Sequence, residues 1–117
     1  MKKIAILRCL ESNDVCTGAS CMEALNTRSR NFSDYEEQPM LVAFFSCNGC
    51  EERVLLKNQV GLEEKLERLR LIGTEIVHVG ACAWIINAYG EKIMCPKIAD
   101  LIERIKKMGI EIVYGTH

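Results

Sequence analysis

Apolar and polar positions alternate in blocks along this chain, and the blocks predict four strands and three helices. Lys3 to Leu7 is a short apolar run, β-branched at Ile4 and Ile6, and predicts a buried strand. A polar loop from Glu11 to Ala19 follows it. Ser20-Cys21-Met22-Glu23 has the spacing of a capping box, which predicts a first helix from Cys21 to about Asn26. The polar stretch 26–38 predicts a surface loop anchored by Phe32 and Tyr35. Met40 to Phe45 is apolar without alternation, the pattern of a strand covered on both faces. Leu55, Leu56, Gln59, Leu62, Leu66 and Leu69 step by threes and fours and predict a second helix, bent or broken at Gly61 and ended by Gly73. Glu75 to Val79 predicts the third strand. Ala83 to Met94 predicts a short helix and loop over the strand ends, with Trp84-Ile85-Ile86 covering the core. Pro96 opens a third helix, whose buried face is Ile98, Leu101, Ile102, Ile105 and Met108; Gly109 ends it, and Ile110 to Tyr114 is the fourth strand.

Strands alternating with amphipathic helices imply right-handed crossovers and a parallel sheet. The expected fold is therefore α/β: a single three-layer, doubly wound domain over residues 1–117. Its four-stranded parallel sheet would run 2-1-3-4 in predicted strands, with helices on both faces. The segments 71–77 and 107–113 are alike, which predicts one helix-to-strand junction used twice.

The chain has 117 residues, 49% of them hydrophobic, enough for a core of its own. Its 15 basic and 16 acidic side chains nearly cancel, so nucleic acid and membrane surfaces are not expected partners. No apolar run approaches the roughly 20 residues that span a bilayer, and the apolar part of the N-terminus is too short for a signal peptide. A cytoplasmic location is expected. No phosphate-binding glycine loop and no serine-nucleophile elbow is present, so nucleotide binding and α/β-hydrolase chemistry are not expected.

The 7 cysteines change the picture. In a reducing compartment, thiols at this density are more often metal ligands or catalytic groups than disulfides. Cys9, Cys47 and Cys82 follow the first three strands. Cys21, Cys50 and Cys95 begin the three helices, Cys16 lies in the first loop, and His117 follows the last strand. All therefore belong to the carboxyl edge of the sheet, where open α/β folds form their sites. His78, inside a strand, is expected to be a core histidine.

These residues resemble the CGGC-domain family over essentially the whole chain. The likeness rests on Arg8-Cys9, Cys16, Cys21, Cys47-Asn48-Gly49-Cys50, Cys82, Cys95-Pro96 and Gly115-Thr116-His117. Asn48 stands where the family has its first glycine, and asparagine tolerates positive φ. The resemblance implies a metal site and gives no substrate or reaction.

Three functions follow as expectations. The first is metal binding: Cys47 and Cys50 supply two ligands, Cys9 and Cys82 the other two, with Cys95, Cys16, Cys21 and His117 in reserve. Zinc is favoured, an iron–sulfur cluster being the alternative. The second is a thiol–disulfide redox protein in which Cys47 attacks and Cys50 resolves. The third is a carrier that hands a metal or cluster to a protein partner the sequence does not name.

Overall fold

The computed structural model describes residues 1–49 and 55–117, with backbone alone for 55–59. Cys50, Glu51 and Glu52 lie outside the described residues, as do the side chains of Leu55, Leu56 and Gln59.

The centre of the molecule is strand β1, Lys3–Arg8, whose residues Ile4 to Leu7 are fully buried. Parallel to it on one side lies β2, Met40–Ser46, and on the other β3, Ile76–Val79; β6, Glu111–Tyr114, pairs with β3. The sheet order is β2-β1-β3-β6, the expected 2-1-3-4 once β6 is counted as the fourth parallel strand.

The layers follow from strand alternation. Ile4 and Ile6 face α1, Ala19–Asn26, and pack with Cys21, Ala24, Leu25 and Phe32. Ala5 and Leu7 point to the other face. There they meet α2, Leu55–Ile72, through Leu66 and Leu69, and α3, Pro96–Lys107, through Ile98, Leu101, Ile102 and Ile105. One helix covers one face and two cover the other, as right-handed crossovers require when the chain moves outward from β1 in opposite directions. The repeated junction is real. Gly73 and Gly109 end α2 and α3 at φ 81° and 83°, a conformation open to glycine at no steric cost.

Four local expectations change. The helix α1 starts earlier than the capping box predicts: Gly18, at φ 79°, is the N-cap, and no side chain caps the end. Its carbonyl takes the Met22 amide at 3.0 Å, so the left-handed glycine makes the turn that Ser20 was expected to make. The helix α2 continues through Gly61. A Cβ at that position would stand 2.9 Å from the Asn48 side-chain amide, so the glycine makes room for the Cys-x-x-Cys turn. The stretch 83–94 is a hairpin, not a helix: β4, Trp84–Ile86, pairs antiparallel with β5, Lys92–Met94. Its turn is organised by the Asn87 side chain, which accepts the Tyr89 and Glu91 amides at 2.9 Å each. Trp84, Ile85 and Ile86 are exposed and do not cover the core. Finally, β2 is an edge strand with half-exposed side chains, despite its continuous apolar run. No helix among the described residues is long and apolar enough to cross a membrane.

Candidate functional site at the sheet switch point

From β1 the chain leaves towards β2, and from β3 it leaves towards β6. The two connections diverge between β1 and β3, and the crevice they leave is at the carboxyl ends of these strands. Cys9 directly follows β1, and Cys82 lies in a 3-10 turn, Ala81–Ala83, just past β3. Cys47 directly follows β2.

A second 3-10 turn, Leu10–Asp14, begins beside Cys9 and leaves its first amides without helical partners. These amides address sulfur. The Cys9 N–H donates to Cys82 Sγ at 3.2 Å, and the Leu10 N–H donates to Cys47 Sγ at 3.5 Å. Two sulfurs held by neighbouring amides are separated by at most roughly 10 Å, the sum of both hydrogen bonds and one peptide step. Burial pushes the Cys9 thiol above its usual value. The amides of Glu11 and Ser12 partly offset that rise, while the Cys47 and Cys82 sulfurs, close enough to repel a charge on Cys9, add to it. Two consecutive amides, of Cys9 and Leu10, therefore address two sulfurs.

A cation stands behind Cys47. Lys65 Nζ donates to Ser46 O at 2.7 Å and to Asn48 Oδ1 at 2.6 Å. Burial lowers the Lys65 pKa, and the Cys47 sulfur opposes that shift by favouring the charged amine. Cys47 itself is 5% exposed. It lies at the floor of an open cleft of about 540 Å³ whose walls include Gly49, Pro96, Lys97 and Arg104.

The other candidates are distributed differently. Cys95 is the N-cap of α3, buried in the same core cluster as Cys47, with its amide bonded to Ala83 O at 2.8 Å. Cys21 belongs to the cluster on the opposite face of the sheet, where its sulfur meets Thr116 Oγ1 at 3.2 Å. Cys16 is exposed, and its sulfur accepts the Gly18 amide at 3.3 Å. His117 is exposed beside Ser20, Glu23 and Arg30, on the α1 side. Cys50 lies outside the described residues. Arg8 stacks over the Phe44 ring, 5.1 Å from its centroid. None of the six described cysteines is in a disulfide. Among the described residues, no group of three His, Cys, Asp or Glu side chains is already placed to hold a metal ion.

His78 is the core histidine its strand position suggested. It is fully buried, with Nε2 at 2.6 Å from the Tyr35 hydroxyl and Nδ1 at 3.0 Å from Gly115 O. Phe32 packs on its ring, centroids 4.3 Å apart. Burial lowers the His78 pKa, with the Gly115 carbonyl opposing, and burial pushes the Tyr35 hydroxyl up to about 12. The neutral ring thus ties the loop of Phe32 and Tyr35 to the C-terminal Gly115-Thr116.

The backbone amides of Cys9 and Leu10 were invisible as site features in the sequence, since an amide carries no side-chain signature. No curated protein and no solved structure matches this chain. The CGGC domain model does match it, over residues 3–117, so the chain belongs to the CGGC-domain family.

Proposed function

We propose that the chain is a metal-binding domain that holds zinc at the switch point through Cys9, Cys47, Cys50 and Cys82. The observation that carries this is the pair of neighbouring amides at Cys9 and Leu10 donating to the sulfurs of Cys82 and Cys47. Backbone N–H donors bring two sulfurs to one crevice, and an all-sulfur set suits a soft or borderline ion. Four thiolates on a divalent ion leave a net charge of about −2, and Lys65 beside Cys47 offsets part of it. No group of three His, Cys, Asp or Glu is placed to hold a metal among the described residues, and Cys50, outside them, is the fourth ligand of the proposed set. The remaining cysteines then have other duties: Cys21 bonds Thr116, and Cys95 packs in the core. Free thiols of this kind suit the reducing cytoplasm.

The burial of Cys47 counts against the redox alternative, because a thiol that attacks a protein disulfide must be accessible. Elemental analysis and a visible spectrum on protein prepared anaerobically without chelator test the proposal. One zinc per chain and no colour is the expected result, lost in Cys47→Ser. A brown protein replaces zinc by an iron–sulfur cluster at the same residues. Metal-free protein with a reducible bond between Cys47 and Cys50 overturns metal binding in favour of redox chemistry. Equal metal in wild type and Cys47→Ser removes Cys47 from the site.

A further inference from the structure

The turn that carries Cys47 is fastened sideways to α2. Ala43, Phe45 and Cys47 alternate onto the sheet face that α2 and α3 cover. The strand β2 ends at Ser46, and the Cys47 amide reaches Arg8 O at a long 3.3 Å. Side chains take over from there. Lys65 Nζ donates to Ser46 O at 2.7 Å and to Asn48 Oδ1 at 2.6 Å. One ammonium therefore holds the residues on both sides of Cys47, and both bonds are short, as charge-assisted ones are. Gly61 is one helical turn before Lys65 and shares its face of α2. A Cβ there would stand 2.9 Å from Asn48 Nδ2, so the Asn48 side chain lies close over bare helix on its way to the amine.

A lysine that only satisfied the open end of β2 would need Ser46 O alone. A second acceptor in Asn48, and a glycine that makes room for it, go beyond that requirement. Charge does not account for the pair either, because the Asn48 side chain is neutral and adds nothing to what Lys65 does for the sulfurs by charge. What the pair fixes is the turn. Within it Cys47 is 5% exposed, and its sulfur accepts the Leu10 N–H at 3.5 Å.

We infer that Asn48 and Lys65 are positioning residues: they clamp the turn after β2 onto α2 and so hold the Cys47 thiol inside the switch point. For its bearing on metal affinity the inference rests on the zinc proposal; for its geometry it rests on the two hydrogen bonds alone.

Alkylation of the full chain as purified, with iodoacetamide and read by peptide mass spectrometry, tests it. The rate at Cys47 is compared with that at Cys21, which is also buried but lies on the opposite face of the sheet, so that general unfolding moves both. Asn48→Ala and Lys65→Met should each raise the Cys47 rate at least about tenfold, the worth of one charge-assisted hydrogen bond, and leave the Cys21 rate unchanged. Each should also weaken zinc binding at least about tenfold in competition with a chromophoric chelator. Arg68→Met removes the next cation along α2, which pairs with Glu64, and should change neither. A ratio of Cys47 to Cys21 that neither clamp variant moves, an equal effect of Arg68→Met, or zinc held as tightly by both clamp variants as by wild type would each overturn the inference. A wild type without zinc sinks the metal reading alone, and the alkylation ratios still decide the clamp.

Discussion

The two faces of the sheet treat the same residue types in opposite ways. On the α1 face, Cys21, His78, Tyr35 and Thr116 satisfy one another: sulfur to hydroxyl, ring nitrogen to phenol, ring nitrogen to the Gly115 carbonyl. At the switch point, the sulfurs of Cys47 and Cys82 receive backbone amides and bond no other side chain among the described residues. A network closed on itself holds the fold together. Sulfurs that meet only backbone donors retain the capacity to take a ligand. Abundance of cysteine along a sheet edge therefore says less than what each sulfur touches.

The sharpest way to break the comparison is to exchange sulfur for oxygen on each face. Cys47→Ser is expected to lose the bound metal, whereas Cys21→Ser should keep it and cost about 1–2 kcal/mol of stability through imperfect packing. Elemental analysis beside urea titration reads both effects. Next in size is glycine. Gly115 sits at φ 132°, where a side chain is strained, and a Cβ there would also push the Asn31 side chain aside, so Gly115→Ala should cost about 1–3 kcal/mol. Gly49, at φ 92°, has no neighbour among the described residues nearer than Leu10 at 3.4 Å, so Gly49→Ala should cost only about 1 kcal/mol.

Acid sharpens the contrast further. His78 has a lowered pKa in the folded protein, so the unfolded chain takes up the proton first as pH falls below its ordinary value of 6.5. Stability attributable to His78 is then complete above that pH and declines below it, and His78→Asn should flatten this slope in melts followed by circular dichroism. Tyr35 acts at the alkaline end. Raised to about 12, it gives stability that is full below 10 and fades as pH rises towards 12; Tyr35→Phe should cost about 1 kcal/mol at neutral pH and remove that decline. The smallest effect is at Gly61→Ala. Helix propensity favours alanine by about 1 kcal/mol, and displacing the flexible Asn48 amide from Lys65 costs a similar amount, so the net change should stay within about 0.5 kcal/mol.

Much of the fold was legible because few topologies satisfy right-handed crossovers, and the two helix-ending glycines marked their own junctions. The start of α1 was not, because a left-handed Gly18 made the turn before the Ser20 pattern could act. The hairpin was missed because Ala88-Tyr89-Gly90 announces a turn without saying whether helix or strand flanks it. The run from Met40 to Phe45 predicts a strand covered on both faces, but β2 is a half-exposed edge strand, because an apolar run does not record where in the sheet a strand lies. For the site, the edge rule placed every described cysteine near the loops that follow strands. It could not sort them by face, since that depends on how each loop folds back. The Cys-x-x-Cys turn was legible to Gly49, and Cys50 lies outside the described residues.

The hairpin between Cys82 and Cys95 is closed at its base, where the Cys95 amide bonds Ala83 O. Its tip, held by the Asn87 side chain, faces water at Tyr89 and Gly90. That clasp insulates both cysteines from whatever happens at the tip. A fluorophore, an epitope or extra residues grafted at Gly90 should ride on the molecule without moving either sulfur, which makes this loop the natural handle for labelling.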